Sequence, residues 1–265
     1  MGEPQNLFHD IKAIERNRDH VKLSISFPEI ATLIKDTSLP IVIRNLLSLD
    51  EAIQIRSYAK AFATHNVLSN PKIDVGCKNF HRIDYNNEKS NVKSILHGYA
   101  SFYWNEETNE IAPLFKRVMS VRNQLSGLAP DYATIKDEDG LISIPAIQHY
   151  PRGGGWMQEH KDPDIGQKVV LSTVLSKMGI DYDEGGLFYI NERGKKEFVD
   201  QHLEPGDSFL FNPKVKHGVA PIDPNEKLNW ERDDGRWMMF SALVTISSLQ
   251  GQDDSTAGLT SGNDA

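Results

Sequence analysis

Short apolar runs separated by glycine and proline corners are the main pattern in the second half of the chain. Short apolar runs bounded by turn residues are typical of strands. They lie at 141–150, 187–190, 208–211 and 236–244. Several strands with corners of this kind predict an all-β barrel or a jelly roll.

The N-terminal part of the chain has a different pattern, with apolar positions at helical spacing. Residues 49–63 predict an amphipathic helix with Ser48 or Asp50 near its N-cap, and residues 111–125 predict another. The short run at 40–44 predicts a strand. We therefore expect a mainly helical region that precedes the strands.

Length and composition agree with one domain. The chain has 265 residues, of which 39% are hydrophobic, and this is enough for one core with a helical annex. We predict a single domain over residues 1–246, with a helix-rich part at 1–140 that supports a β core at 141–246. Residues 247–265 are polar and rich in glycine, serine and aspartate, which predicts a disordered tail.

Charge and cysteine content exclude some classes of partner. The formal net charge is −8 and the chain has no basic run, so we expect no nucleic-acid partner. No apolar run approaches the roughly 20 residues that cross a bilayer, so we expect no membrane segment. Cys77 is the single cysteine and no secretory signal is visible, which together favour the cytoplasm. The sequence leaves the oligomeric state open.

Three residues carry the candidate chemistry. His160 and Asp162 stand two positions apart, so on a strand both side chains point the same way, and His217 follows a later apolar strand. Two imidazoles and one carboxylate can hold one face of an octahedral metal and leave three positions open, as in non-haem Fe(II) oxygenases. The short His-x-Asp pattern is weak evidence by itself, because the chain has 9 His and 37 acidic residues, and a surface pair is the alternative.

The motifs around these residues carry more information than the tripeptide does. In chain order they are Tyr150-Pro151 before a glycine run, His160-x-Asp162, Gly185-Gly186, Pro205-Gly206-Asp207, His217-Gly218-Val219 and a basic residue on the last strand. This order resembles the Fe(II)/2-oxoglutarate-dependent dioxygenase superfamily, particularly its prolyl-hydroxylase and phytanoyl-CoA-hydroxylase branches. The resemblance covers residues 140–246, about two-fifths of the chain, and says little about the substrate.

The resemblance implies a mainly β fold, a double-stranded β-helix of the cupin kind flanked by N-terminal helices. It also implies that His160, Asp162 and His217 form the catalytic metal site and bind Fe(II), with 2-oxoglutarate and O₂ as co-substrates and ascorbate as a stimulant. The reaction would hydroxylate or otherwise oxidise an unactivated C–H bond and release succinate and CO₂. A small-molecule substrate is favoured, because the chain has no appended binding module or basic groove. A hydroxylase of protein or peptide side chains and a non-catalytic cupin-like barrel are the alternatives.

The distal carboxylate of 2-oxoglutarate needs a fixed cation, and a guanidinium can hold it with two parallel hydrogen bonds. Arg236 begins the apolar strand after the second metal-ligand histidine, where the family places its basic residue. Arg232 is the rival, in a polar stretch that is typical of a solvated loop. The gap before Arg236 is longer than in the family and implies an insertion over residues 221–234, which leaves the choice between the two arginines open.

Strand alternation sorts the remaining candidates near the motifs. Gln148 and Tyr150 fall on one face and complete the predicted co-substrate site, whereas His149 falls on the other face. Ser241 is a second candidate hydroxyl, but the same alternation turns it away from Arg236. His149 and His202 are expected to be structural or solvated.

A mixed aromatic and charged segment lies earlier in the chain. His81 and Arg82 belong to it, and they are expected to be part of either a loop or a strand. Members of the superfamily often place substrate contacts on N-terminal loops, so these two residues are candidates for substrate binding. An ordinary exposed segment is the alternative.

Overall fold

The structure is a computed structural model. It describes residues 8–245, except for 18–20, 37–38, 70, 72, 88–89, 91, 137 and 163–167. The predicted tail at 247–265 lies outside the described residues.

Strands outnumber helices in the described part of the chain. The strands are β1 (His9–Arg16), β2 (Val21–Leu23), β3 (Ile41–Arg44), β4 (Phe80–Tyr85), β5 (Ser94–Ala100), β6 (Leu141–Pro151), β7 (Gly155–His160), β8 (Val170–Val174), β9 (Gly186–Ile190), β10 (Lys196–Phe198), β11 (Ser208–Phe211), β12 (His217–Ile222) and β13 (Gly235–Thr245). The helices are α1 (Phe27–Asp36), α2 (Leu49–His65) and α3 (Ala112–Leu125), with 3-10 turns at Glu106–Thr108 and Asp200–His202. The prediction of a mainly β fold with N-terminal helices is confirmed.

The strands form one hydrogen-bonded path that folds over itself. Its order is β10-β9-β12-β7-β5-β6-β13-β8-β11-β3-β1-β2, and β4 pairs with β5 outside this path. Side chains of β7, β9 and β12 face side chains of β6, β8 and β13 across an internal cavity. Two facing layers around a cavity are the jelly-roll arrangement that the motifs predict.

The predicted helices form close to their predicted positions. Ser48 caps α2 through a reciprocal capping box, because its hydroxyl accepts a hydrogen bond from the Glu51 backbone N–H (3.2 Å) while the Glu51 carboxylate accepts one from the Ser48 N–H (2.8 Å). Helix α3 has proline in its first turn, where the missing N–H costs nothing. These local signals explain why both helices are readable from sequence.

The N-terminal region contains more strand than its sequence pattern predicts. Five strands, β1–β5, lie there beside the three helices in the described residues. Strand β1 is parallel to β3, and β3 joins β11 of the C-terminal core. Only Ile11 is buried in β1, so its exposed polar residues hide the strand from a hydrophobicity pattern. Because β1 is paired with β2 on one side and β3 on the other, it depends on its neighbouring strands more than on its own apolar residues.

The helices cover the outer face of the sheet. Their buried residues form a core with β3, β6 and β13, which includes Ile43, Ile55, Phe115 and Trp237. Arg117 of α3 is also buried and forms two 2.8 Å hydrogen bonds to the Glu51 carboxylate at the start of α2. This core leaves the inner face of the sheet free to line the cavity.

The predicted insertion is a looped segment between β12 and β13. The Arg152 guanidinium, on the glycine turn after β6, fastens it through ion pairs with Asp223 (2.6 Å) and Glu226 (2.7 Å). A Cβ at Gly153 would collide with the backbone of Leu228, and the φ of Gly153 is +88°, so glycine is required there. The segment is therefore fixed against the turn that precedes β7.

Within the described residues, no helix is both long and apolar enough to cross a membrane.

Candidate active site

The fold brings His160, Asp162 and His217 together. His160 ends β7 and His217 begins β12, and the two are register partners in this antiparallel pair. The Asp162 carboxylate lies between them, 3.4 Å from His160 Nε2 and 3.5 Å from His217 Nε2. One ligand atom of each residue lies within 4.8 Å of the others. This is the separation of donor atoms that could hold one metal ion.

The backbone fixes which nitrogen of each imidazole faces the carboxylate. His160 Nδ1 lies 2.8 Å from the Gln158 carbonyl oxygen, and His217 Nδ1 lies 3.0 Å from that of Val215. A carbonyl only accepts, so each Nδ1 carries the proton and donates it. Each Nε2 therefore faces Asp162 and is the ring nitrogen available to a metal ion.

The electrostatics of the three groups favour an ionised carboxylate beside a neutral imidazole. Burial alone would raise the pKa of Asp162, but the neighbouring His217 and His160 hold it below its ordinary value. Burial lowers the pKa of His217 to about 4, against the opposing charge of Asp162. The same carboxylate outweighs the effect of burial at His160 and raises the pKa of that imidazole, so a divalent cation that binds here displaces a proton from His160 Nε2. The residues present fit a ferrous ion.

An internal cavity adjoins the three residues. All three line it, together with apolar side chains from both layers, among them Met157, Leu187, Val219, Met238 and Phe240. Farther along β8 and β13 the lining includes Val170, Ala242 and Val244. The lining is mostly apolar, and its polar groups away from the three residues include the hydroxyls of Ser172 and Ser241.

Arg236 is fully buried beside Tyr150, which lines this cavity, although Arg236 itself is not part of the lining. It pairs with Tyr150 in the β6–β13 register, and its guanidinium carbon lies 5.6 Å from the centre of the Tyr150 ring. Strand alternation puts it on the same face as Met238, which lines the cavity. The Arg236 Nη1 atom has no hydrogen-bond partner among the described residues. An unpartnered buried donor costs stability unless a ligand satisfies it, so the residue fits a carboxylate ligand.

Arg232 lies elsewhere. It belongs to the looped segment, where it forms hydrogen bonds with Asp234 and Glu226. It lines a cleft on the outer face of the sheet beside His149 and Trp237. Of the two arginines that the sequence leaves open, only Arg236 is on the inner side.

Gln148 and Tyr150 both line the cavity. The Tyr150 hydroxyl donates to the Gln148 side-chain oxygen at 2.5 Å, so the amide nitrogen of Gln148 is the donor that remains for a ligand. Ser241 also contributes to the lining, and its buried hydroxyl has no hydrogen-bond partner in the described part of the chain. Alternation along β13 therefore does not exclude Ser241 from the cavity.

Two residues near Arg236 belong to no recognisable motif, so the sequence alone does not identify them. The Asp200 carboxylate accepts hydrogen bonds from the Arg236 Nε (2.6 Å) and Nη2 (3.2 Å). The Tyr182 hydroxyl donates to the same carboxylate at 2.6 Å. The only signal in the sequence is indirect: an arginine on a buried strand needs an acidic partner somewhere in the chain.

Solved structures provide the comparison with known proteins. A prolyl-4-hydroxylase from Pseudomonas putida matches 82% of this chain and 98% of its own at 13% identity, with a TM-score of 0.52. A prolyl hydroxylase from Trichoplax adhaerens, in complex with a hypoxia-inducible-factor peptide fragment, matches 85% and 94% at 14% identity and a TM-score of 0.51. SnoN, a non-haem α-ketoglutarate-dependent epimerase from nogalamycin biosynthesis, matches 83% and 82% at 9% identity and a TM-score of 0.53. The chain has the fold of the Fe(II)/2-oxoglutarate-dependent oxygenases.

The resemblance inferred from the motifs is thus confirmed at the level of the oxygenase fold. No protein-family model matches the sequence, and no curated protein is significantly similar to it. At identities of 9–14% the likeness shows the architecture alone.

The outer face of the sheet carries a second group of histidines. His149 stacks on Trp237 with ring centres 4.2 Å apart, and its Nε2 donates to the Asp234 carbonyl. His97 stacks beside it, and His97 Nδ1 lies 2.9 Å from His81 Nε2. The prediction that His149 is structural and faces away from Tyr150 agrees with this packing. The two interpretations of His81, an exposed segment or a substrate contact, do not describe its position, because it is buried in β4 on the face opposite His160, Asp162 and His217.

These buried histidines predict a steep loss of stability in mild acid. Burial lowers the pKa of His149 to about 3 and those of His81 and His97 to about 4. An unfolded chain binds these protons below roughly pH 6.5, whereas the folded chain does not until about pH 4. The stabilisation is therefore complete above pH 6.5 and is lost as the pH falls toward 4. Urea unfolding at pH 7, 6 and 5 should show a falling free energy, by up to about 1.4 kcal/mol per pH unit for each histidine.

His149→Gln should make the free energy of unfolding fall less steeply with decreasing pH, because one fewer proton is bound on unfolding. His202→Asn, at an exposed position, should leave this pH dependence as in the unsubstituted protein. Equal free energies of unfolding at pH 7 and pH 5 would show that the three imidazoles are not held neutral.

Proposed function

We propose that the chain is an Fe(II)- and 2-oxoglutarate-dependent oxygenase that oxidises an unactivated C–H bond of a small molecule. The proposal rests mainly on one arrangement, the ring nitrogens of two imidazoles and an oxygen of one carboxylate that lie within 4.8 Å of one another beside a mostly apolar cavity. Bound there, iron and 2-oxoglutarate supply O₂-dependent C–H oxidation with release of succinate and CO₂. His160, Asp162 and His217 would hold the iron from one side only.

The remaining residues of the site bind and orient 2-oxoglutarate and keep water out. Arg236 offers its unpartnered Nη1 to the distal carboxylate of 2-oxoglutarate, and a non-catalytic metal-binding barrel has no need of such a buried cation. The Gln148 amide can donate to the same co-substrate. The apolar lining around Phe240 excludes water from the site and strengthens each polar contact within it.

The cavity lining favours a substrate whose reacting part is apolar. Val170, Phe240, Ala242 and Val244 present no hydrogen-bonding side chain to it. A peptide brings amide groups that would lose their water partners in such surroundings, at a cost of about 1–3 kcal/mol each. The similar Trichoplax structure contains a bound peptide fragment. A hydroxylase of protein or peptide side chains is therefore the second candidate.

A coupled-turnover screen tests the proposal. The protein is incubated with Fe(II), ascorbate, 2-oxoglutarate and ¹⁸O₂, with either apolar small molecules or a peptide library, and succinate and labelled product are measured. We expect apolar small molecules to raise succinate formation above the substrate-free rate and to acquire ¹⁸O, with His217→Ala as the inactive control. Stimulation by peptides alone would favour the second candidate, and bound metal with no succinate under any condition would favour the non-catalytic barrel.

A further inference from the structure

The guanidinium of Arg236 is held by a carboxylate of the protein itself. Asp200 accepts from its Nε and Nη2, and the ion pair is almost inaccessible to solvent, with side-chain exposures of 0% for Arg236 and 2% for Asp200. Both partners therefore have one defined position rather than the range of positions of a surface pair.

Asp200 is in turn fixed by its own surroundings. Besides the Tyr182 hydroxyl, the backbone N–H of Leu187 donates to it at 2.9 Å. A Cβ at Gly186 would collide with the Asp200 carboxylate, and Gly186 has a φ of +101°, so only glycine fits beside it. Burial would raise the pKa of Asp200, but the charge and hydrogen bonds of Arg236 outweigh this and hold it below the ordinary value. The carboxylate is ionised and cannot turn away from the arginine.

This arrangement determines which donors of Arg236 remain for a ligand. The edge formed by Nε and Nη2 is used by Asp200, and Nη1 is left without a partner among the described residues. Because the guanidinium is planar and rigid, fixing one edge fixes the direction of the other. The charges of Arg236 and Asp200 also cancel. An anion beside Arg236 is therefore held by correctly placed N–H donors more than by net positive charge.

We propose that Asp200 is a positioning residue, which orients Arg236 so that Nη1 meets the distal carboxylate of 2-oxoglutarate. This inference rests on the proposed function. It assigns to Asp200 a role in selecting a dicarboxylate over a monocarboxylate 2-oxo acid, and to Gly186 the role of leaving room for the carboxylate.

The test compares two 2-oxo acids that differ only in the distal carboxylate. Binding of 2-oxoglutarate and of 2-oxopentanoate is measured by calorimetry without O₂, with Mn²⁺ in place of Fe(II), for the unsubstituted protein and for Asp200→Asn. The substitution keeps the shape of the side chain and removes its charge. We expect the Kd of 2-oxoglutarate to rise at least about tenfold, while those of 2-oxopentanoate and Mn²⁺ change by less than about twofold.

Two further variants complete the design. Tyr182→Phe removes one hydrogen bond to Asp200 and should raise the 2-oxoglutarate Kd by a smaller factor, about threefold; it also serves if Asp200→Asn does not fold. Asp207→Asn alters another buried aspartate, which pairs with Arg44 at 2.8 Å away from the cavity, and should leave both 2-oxo acids unaffected.

The outcomes distinguish an error in the role of Asp200 from an error in the proposed function. Equal losses for both 2-oxo acids, or unchanged 2-oxoglutarate binding in Asp200→Asn and Tyr182→Phe, would overturn the role of Asp200 and leave the proposed function standing. Failure of the unsubstituted, Mn²⁺-loaded protein to bind 2-oxoglutarate would overturn the proposed function and this inference with it.

Discussion

Replacing His217 with alanine should abolish turnover and weaken binding of Fe(II) on the order of a hundredfold or more. His160→Ala and Asp162→Ala should have the same effect. A site with only three protein ligands has no fourth donor to compensate, and no other group of three or more His, Cys, Asp or Glu side chains in the described residues converges in this way. Calorimetric titration with Fe(II) in the absence of O₂ measures the loss directly.

The control for this series is His202→Ala. His202 is an exposed histidine in a 3-10 turn, so its removal should keep metal affinity and turnover. Near-normal metal affinity and turnover in His217→Ala would show that the metal is held elsewhere.

Arg236→Gln should raise the Kd of 2-oxoglutarate about 30-fold or more with little change in Fe(II) affinity. A charge-assisted contact in a desolvated pocket contributes on the order of 2–5 kcal/mol, and glutamine cannot reproduce it. The substitution also leaves the buried Asp200 carboxylate without its cation, which destabilises the fold. The double variant Asp200→Asn with Arg236→Gln should therefore recover much of the thermal stability and still bind 2-oxoglutarate weakly.

Arg232→Gln is the matched control, an arginine four positions earlier that pairs with acidic side chains of its own loop. It should leave 2-oxoglutarate binding within about twofold of the unsubstituted protein. If Arg232→Gln lowers the affinity and Arg236→Gln does not, the anchor has been assigned to the wrong arginine.

The sequence predicts those features that depend on short-range geometry. The two-residue spacing of His160 and Asp162 and the glycine and proline corners are local, and the same is true of the Ser48 cap of α2. The order of the motifs then places His217 on a later strand, and the structure makes it the register partner of His160. Strand alternation likewise separates His149 from Tyr150 correctly.

The features that the sequence does not predict depend on contacts between distant parts of the chain. Asp200 lies in a polar stretch with no periodic pattern, and only the tertiary fold brings it to Arg236. His81 meets His97 and His149 because β4, β5 and β6 are neighbours, and nothing in the local sequence of His81 requires burial. Strand β1 is hidden for the same reason, since its parallel partner β3 lies on the other side of α1 in the chain.

A crystal structure with Fe(II) and 2-oxoglutarate bound under anaerobic conditions, with anomalous diffraction recorded at the iron edge, tests the proposed site most directly. We expect one anomalous peak within bonding distance of His160 Nε2, His217 Nε2 and an Asp162 carboxylate oxygen. We also expect 2-oxoglutarate density that reaches from this peak to Arg236 Nη1. An iron peak at another group of residues, or 2-oxoglutarate whose distal carboxylate lies away from Arg236, would contradict the proposed site.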